Sequence, residues 1–212
     1  MIRAEDTVLV LLAAGASSRF PGGNKLEADF LGKPVGLHVV TALESVPFKA
    51  RFVVRDGGSL DFAGYRVIQN DAPGEGMARS VRMGVECAKA AGARAVMIAL
   101  ADMPRVTATH IYRLLDAADG DDAVVASSDG VQPRPPALFG AGQFDFLLTL
   151  DGDAGARELV RAGKHVVTAP AELIDVDTPE DLEKLRALVH APEAITRPMA
   201  RAFIRVATRR SD

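Results

Sequence analysis

The sequence predicts an α/β protein: a mostly parallel sheet with helices on both faces. Three observations carry this. Short apolar runs alternate with longer stretches of helical periodicity. The runs are apolar on both faces, as strands buried on both sides are. The chain of 212 residues, 48% hydrophobic, suits one compact domain with enough core to fold alone. The expectation is therefore a single-domain, Rossmann-like sheet, in which ligands bind outside the carboxyl ends of the strands.

Taken in order, strands are expected at Thr7–Ala13, Ala50–Arg55, Tyr65–Ile68, Arg94–Leu100, Ala123–Ala126 and His165–Ala169, with a further one through Ala137–Phe139. Helices fit Val35–Ser45, Met77–Ala90, Ala108–Ala118, Phe144–Leu150, Ala154–Ala162 and Pro179–Val189. Asp56-Gly57-Gly58 reads as the turn ending the second strand, and Thr107 as the cap of the helix that follows it. Thr178-Pro179-Glu180-Asp181 places a capping hydroxyl before proline, with acids in the first turn. The loops at Ala14, Arg55, Asn70, Ala101 and Ser127 then form the candidate active face.

Composition narrows the function classes. The formal net charge is −3, which gives no support for broad nucleic-acid binding, so a polyanion must be held by a local cluster. One cysteine, Cys87, excludes an intrachain disulfide framework and fits a reducing, cytoplasmic setting. The apolar run Val8 to Ala14 is too short to span a membrane, and Glu5 and Asp6 precede it where a signal peptide needs positive charge. No membrane association is expected.

The chemistry is organised around Leu11 to Lys25, LLAAGASSRFPGGNK. Small residues let backbone N–H groups approach an anion, and Arg19 and Lys25 add positive charge. The spacing fits neither a Walker A loop nor a G-x-G-x-x-G fingerprint. The alternatives are a nucleoside triphosphate loop and an ordinary βα turn with two solvated cations. L-A-A-G-x-S-x-R followed by G-x-x-K, carried by Leu12 to Gly15, Ser17, Arg19, Gly22 and Lys25, resembles the nucleotidylyltransferases of molybdenum-cofactor synthesis. Asn24-Lys25-Leu26 and Gly32-Lys33-Pro34 extend the match, which covers roughly Val8 to Val189. The resemblance implies a nucleotidyltransferase-like fold, transfer of a nucleotide from CTP or GTP to molybdopterin, and Mg²⁺ as cofactor.

Two acids stand out. Asp102 follows the strand Arg94–Leu100, at a rim where a carboxylate can hold Mg²⁺ with waters and phosphate oxygens, or simply cap a loop. Leu100-Ala101-Asp102-Met103-Pro104 resembles the family's metal-binding motif. Asp177, in Asp175-Val176-Asp177-Thr178-Pro179-Glu180-Asp181, is the second metal acid by resemblance; acids before a helix are also favourable without any ligand. Catalytic roles fall to Lys25, Arg19 and Asp102. The resemblance implies nucleotide contacts from Leu12, Ala13, Ala14, Gly15, Ser17, Arg19, Lys25, Asn70, Asp71, Ser80 and Asp102. For Asn70, Asp71 and Ser80, at a helix start that favours anions, ordinary capping is the alternative.

Gly152-Asp153-Ala154-Gly155-Ala156-Arg157 resembles the G-D-x-G-A-R of the cytidylyl branch, which implies acceptor contacts from Asp153 and Arg157; a Gly loop that merely begins a helix is the alternative. Gln132-Pro133-Arg134-Pro135-Pro136-Ala137-Leu138-Phe139 reads as a rigid proline loop and looks more like the guanylyl branch, whereas Ala13-Ala14 points to cytosine. CMP transfer from CTP to molybdopterin is the leading expectation. The rivals are GMP transfer from GTP, transfer to another small phosphorylated acceptor, and a non-catalytic protein delivering cofactor to an apo-molybdoenzyme. Residues 1–190 form the expected domain. In the tail 191–212, Arg197, Arg201, Arg205 and Arg209 recur at helical spacing, which suits packing on the domain or docking on a partner.

Overall fold

The structure is a computed structural model that describes residues 1–15, 19–20, 23–152 and 156–190. The elements run β1 (Thr7–Leu12), β2 (Asp29–Phe30), β3 (Lys33–Pro34), α1 (Val35–Ala42), β4 (Ala50–Arg55), β5 (Arg66–Gln69), α2 (Met77–Ala90), β6 (Ala95–Leu100), α3 (Ala108–Ala117), β7 (Val124–Ser128), β8 (Pro133–Gly140), α4 (Phe144–Leu147), α5 (Arg157–Ala162), β9 (Lys164–Val167) and α6 (Pro179–His190). Seven strands form one sheet in the order β5-β4-β1-β6-β8-β7-β9. Its pairings are parallel except those of β8, which runs antiparallel to β6 and β7. The α/β expectation of a mostly parallel sheet covered on both faces holds.

Strand β1 is buried along its whole length, and its side chains divide by the two-residue period of a strand. Leu9 and Leu11 join Val39, Leu43, Ile111 and Leu114 on the α1 and α3 side. Val8, Val10 and Leu12 join Val81, Val85, Phe144 and Leu147 on the α2 and α4 side. Helix α2 comes so close to β1 that a Cβ on Gly84 would lie 2.4 Å from Val10 Cγ1. Only glycine admits that approach without displacing Val10.

From β1 the chain moves outward through β4 and β5, then returns to place β6 on the other side of β1. The carboxyl ends of β1 and β6 therefore flank the point where strand order reverses, the usual ligand crevice of such sheets. Backbone bonds Ala13 N→Val54 O (2.8 Å) and Ala101 N→Leu12 O (2.9 Å) carry the ladders just past the strand ends. A smaller core, Phe30, Val35, Val176, Leu182 and Leu185, packs the region after Lys25 against α6 and the segment before it. That core draws the two ends of the domain together. Among the described residues, no helix is long and apolar enough to cross a membrane.

Several expectations are corrected. The β2–β3 hairpin was not expected; its two-residue loop has positive φ at Leu31 (54°) and Gly32 (80°), and Leu31 hides that turn from a reading based on Asn-Gly signals. The proline loop expected within Gln132–Phe139 is instead strand, since β8 begins at Pro133. The prolines fit because β6 pairs with β8 only as far as Ala137, and β7 shifts register between Ala126 and Ser127 opposite them. Helix α1 ends at Ala42 rather than Ser45, where Glu44 N turns to Thr41 O ahead of Val46-Pro47. Helix α4 stops at Leu147, its last turn tightening through Thr149 N→Phe146 O and Leu150 N→Leu147 O. The tail 191–212 and the first residues of the expected helix from Ala154 lie outside the described residues.

Candidate active site

Lys25 opens a short turn, Lys25–Glu27, fixed by Asn24 Oδ1 accepting from Leu26 N at 3.0 Å and by burial of Leu26. Its Nζ lies 2.6 Å from Asp102 Oδ2 and 2.8 Å from Asp177 Oδ1. Arg19 donates to the other oxygen of Asp177, Oδ2, at 2.9 Å. Asp102 sits two residues beyond β6, and Asp177 two residues before α6. Val176 N donates to Asp102 O at 2.9 Å, so backbone pairing sets the two acidic segments side by side. Four charges from three distant stretches of chain thus meet at the switch point.

The lysine and both acids are largely shielded, while Arg19 is 69% exposed at the rim. Burial pushes the Asp102 carboxyl above the ordinary carboxylate range; Lys25 offsets this in part, and Asp175 and Asp177 add to it. Burial works against the Lys25 ammonium, but Asp102 and Asp177 outweigh it and raise its pKa. Asp102 Oδ1 is buried and makes no hydrogen bond. A carboxylate with one orphaned oxygen, whose other oxygen meets a second carboxylate across a cation, fits a hard divalent ion, which takes oxygen donors and shares them with phosphate. Among the described residues no group of three or more His, Cys, Asp or Glu forms a complete protein cage. Mg²⁺-type sites that borrow ligands from a nucleotide do not need one.

The remaining expected site residues fall into three groups. Leu12 ends β1, Ala13, Ala14 and Gly15 follow it, and the Gly15 N–H donates to Asp56 Oδ2 at 3.2 Å. Asn70, Asp71 and Ser80 form a separate knot where β5 meets α2. Asn70 is buried, donating to Ser80 Oγ (3.0 Å) and accepting from Ala72 N (3.0 Å) and Arg79 Nε (2.9 Å). Asp71 is exposed and pairs with Arg79 at 2.5 Å. Ser17 and Asp153 lie outside the described residues.

Beside the cluster lies a groove of about 630 Å³. Leu12, Ile98, Leu100 and Phe139 supply apolar lining from the sheet, Met77 and Val81 from α2, and Pro133 and Pro135 from β8. Three arginines line it: the expected Arg157, and Arg134 and Arg161, which the sequence reading did not single out. Arg161 is detectable as the i+4 neighbour of Arg157 on α5. Arg134 carries no such signal, since its place depends on β8 reaching back to Pro133. The described lining holds no Asp, Glu or His.

A cationic and acidic cluster at a switch point, opening beside an arginine-lined groove, places the protein among enzymes that handle phosphorylated ligands. Comparison with known proteins is more specific. Residues 9–167 match the MobA-like NTP transferase domain, and the chain belongs to that family; it is a nucleotidyltransferase. It is similar to the purine catabolism protein PucB of Bacillus subtilis strain 168, 32% identical over 206 residues, covering 87% of this chain and 98% of the relative. Its fold matches Mth528, a nucleotidyl transferase from Methanothermobacter (TM-score 0.73, 22% identity, 88% of this chain and 98% of that one). It also matches Rv0371c of Mycobacterium tuberculosis H37Rv in complex with manganese (TM-score 0.65, 22% identity, 84% and 97%). At these identities the two structural likenesses speak to the fold.

Proposed function

We propose that the protein transfers CMP from CTP to the terminal phosphate of a molybdopterin-type acceptor and releases pyrophosphate, with Mg²⁺. The observation that carries this reading is the meeting of Lys25 with Asp102 and Asp177, 2.6 and 2.8 Å away, past the ends of β1 and β6, whose last residues Leu12 and Leu100 line an arginine-bearing groove. An oxygen of the acceptor phosphate attacks the α-phosphorus of CTP; the bond from that phosphorus to the β-bridging oxygen breaks, and pyrophosphate leaves with the electron pair. A phosphate monoester is already anionic near neutral pH, so the attack needs no protein base.

Asp102 and Asp177 would hold the metal, which supplies charge neutralisation and alignment to the phosphoryl oxygens. Lys25 is placed to follow the charge that develops on pyrophosphate, because lysine is a flexible point charge on a long stem. Arg19, at the rim, can fork onto a phosphate. The protein's share of catalysis is then positioning and electrostatic stabilisation. Ala13-Ala14 supports cytosine. The second reading, GMP transfer from GTP, is favoured by the Gln132–Phe139 stretch, part of which lines the groove.

The test is a selectivity assay with each of the four nucleoside triphosphates, Mg²⁺ and molybdopterin, following pyrophosphate. The expected result is turnover with CTP at least about tenfold above the other three, a margin within reach of a few polar contacts. Preference for GTP selects the second reading. Turnover with other phosphate monoesters but none with molybdopterin contradicts the acceptor.

A further inference from the structure

Arg134 joins the groove to the acidic segment of the cluster. Its Nη1 lies 3.5 Å from Asp175 Oδ1 and its Nε 3.4 Å from Asp129 Oδ2. Asp175 precedes Val176, whose N–H is held by Asp102 O, and Asp177, which meets Lys25 and Arg19. Asp129 is itself fixed: its Oδ1 accepts from Val131 N and Gln132 N, both at 2.8 Å, and these amides hold its carboxyl below the usual range. The guanidinium is therefore aimed by two acids. Nη1 donates a long hydrogen bond to Asp175 at 3.5 Å, while the buried Nε, 3.4 Å from Asp129, has no hydrogen-bond partner. Charges that orient a guanidinium without saturating it leave donors for a better acceptor.

The groove around Arg134 sharpens the point. Its neighbours Pro133 and Pro135 offer no N–H, so this wall of the groove takes its charge from the arginine. Apolar side chains, among them Leu12, Leu100 and Phe139, line the groove below it. Leu12 and Leu100 are the last residues of β1 and β6, the strands that lead to Gly15 and Asp102.

We infer that Arg134 is the acceptor-binding residue of this site: it grips the phosphate monoester of an acceptor whose body packs on the apolar side chains of the groove, and sets that phosphate beside the Lys25–Asp102–Asp177 cluster. This deepens the reading under Proposed function and rests on it for the acceptor's identity. A planar guanidinium fork matches a terminal phosphate and has no comparable partner in an alcohol.

The experiment has two arms on the full-length protein, with Arg134→Met and Arg134→Lys variants that keep the wild-type circular dichroism spectrum. In the first, saturation-transfer NMR measures binding of phenyl phosphate and of phenol to protein saturated with CTP, which fills the nucleotide's own phosphate site. Wild type is expected to bind phenyl phosphate and not phenol; Arg134→Met weakens phenyl phosphate roughly tenfold and Arg134→Lys less. In the second, steady-state assays with CTP and molybdopterin are expected to show KM for molybdopterin raised about tenfold in Arg134→Met, with KM for CTP unchanged. Equal binding of phenyl phosphate by wild type and Arg134→Met, its absence in wild type, equal binding of phenol, or a fall in kcat alone overturns the assignment. If molybdopterin is not turned over by wild type while Arg134→Met still loses phenyl phosphate, the acceptor under Proposed function is wrong and the Arg134 assignment stands.

Discussion

Asp102 is kept at the cluster at some expense to folding. Burial raises its carboxyl pKa, so the folded protein holds that proton more readily than the unfolded chain. Above the folded pKa, the ionised carboxylate therefore subtracts from stability instead of adding to it. Asp102→Asn removes the buried charge and keeps the shape. Relief of the buried charge and loss of the Lys25 ion pair oppose each other, so its thermal midpoint is expected to stay close to that of wild type, while pyrophosphate release falls by about 10²–10³, the usual loss for one preorganised electrostatic group. Thermal melts and the pyrophosphate assay check the two halves; an activity loss explained by a lower midpoint contradicts the role given to Asp102. Lys25 sits between the carboxylates where a dication would be drawn. Free Mn²⁺ is accordingly expected to bind wild type weakly without nucleotide, and Lys25→Gln about tenfold more tightly, since one competing charge is gone. Calorimetric titration without nucleotide reads this directly, and equal affinities contradict it.

Individual elements carry their own tests. Gly84 is where α2 meets β1, with no room for a side chain against Val10. Gly84→Val is expected to cost about 2 kcal/mol by overpacking, lowering the melting temperature by roughly 4–8 °C. His110, buried on α3, shares a hydrogen bond of 2.7 Å with Ser127 Oγ, which donates to Pro136 O at 2.7 Å and so ties α3 to β7 and β8. Burial lowers the His110 pKa; Glu172 opposes the shift and Arg113 adds to it, and Nδ1 has no partner for a second proton. The unfolded chain therefore takes up this proton first as pH falls. The stability is present above about pH 6.5 and is lost as pH falls toward the lower folded pKa, at up to about 1.4 kcal/mol per pH unit. Urea midpoints at pH 7.5 and 5.5 are expected to differ more for wild type than for His110→Gln; equal differences contradict the linkage. Elements of this kind were legible to different degrees. Helix α2 runs from Met77 to Ala90 as its periodicity indicates, because that signal is local. The β2–β3 hairpin and the start of β8 were not legible, because Leu31 and the prolines violate local preference and are accommodated by tertiary pairing.

At the scale of the molecule, a sheet with a reversal of strand order brings Lys25 to Asp102, and the small core around Phe30, Val176 and Leu185 brings Asp177 to both. The sequence names the residues of that meeting, since each lies in a short motif. It does not reveal that Asn70 and Ser80 bond to each other in the interior, because a helix-start serine reads alike whether it faces a ligand or a neighbour. Nor does it reveal that Arg134 shares a groove with Arg157 and Arg161, since they line one cavity only once β8 and α5 are folded. Leu185→Ala, at a fully buried position of the small core, is expected to cost about 2–5 kcal/mol and, by loosening the segment before α6, to raise KM for the triphosphate. Chemical denaturation and steady-state kinetics test that coupling; an unchanged KM in the folded variant contradicts it. The most direct test of the whole account is pyrophosphate release with CTP, Mg²⁺ and molybdopterin by Lys25→Ala, checked for an unchanged fold. If the cluster serves the triphosphate, turnover drops by about 10² or more while the fold persists; turnover equal to wild type means the cluster has no part in the reaction.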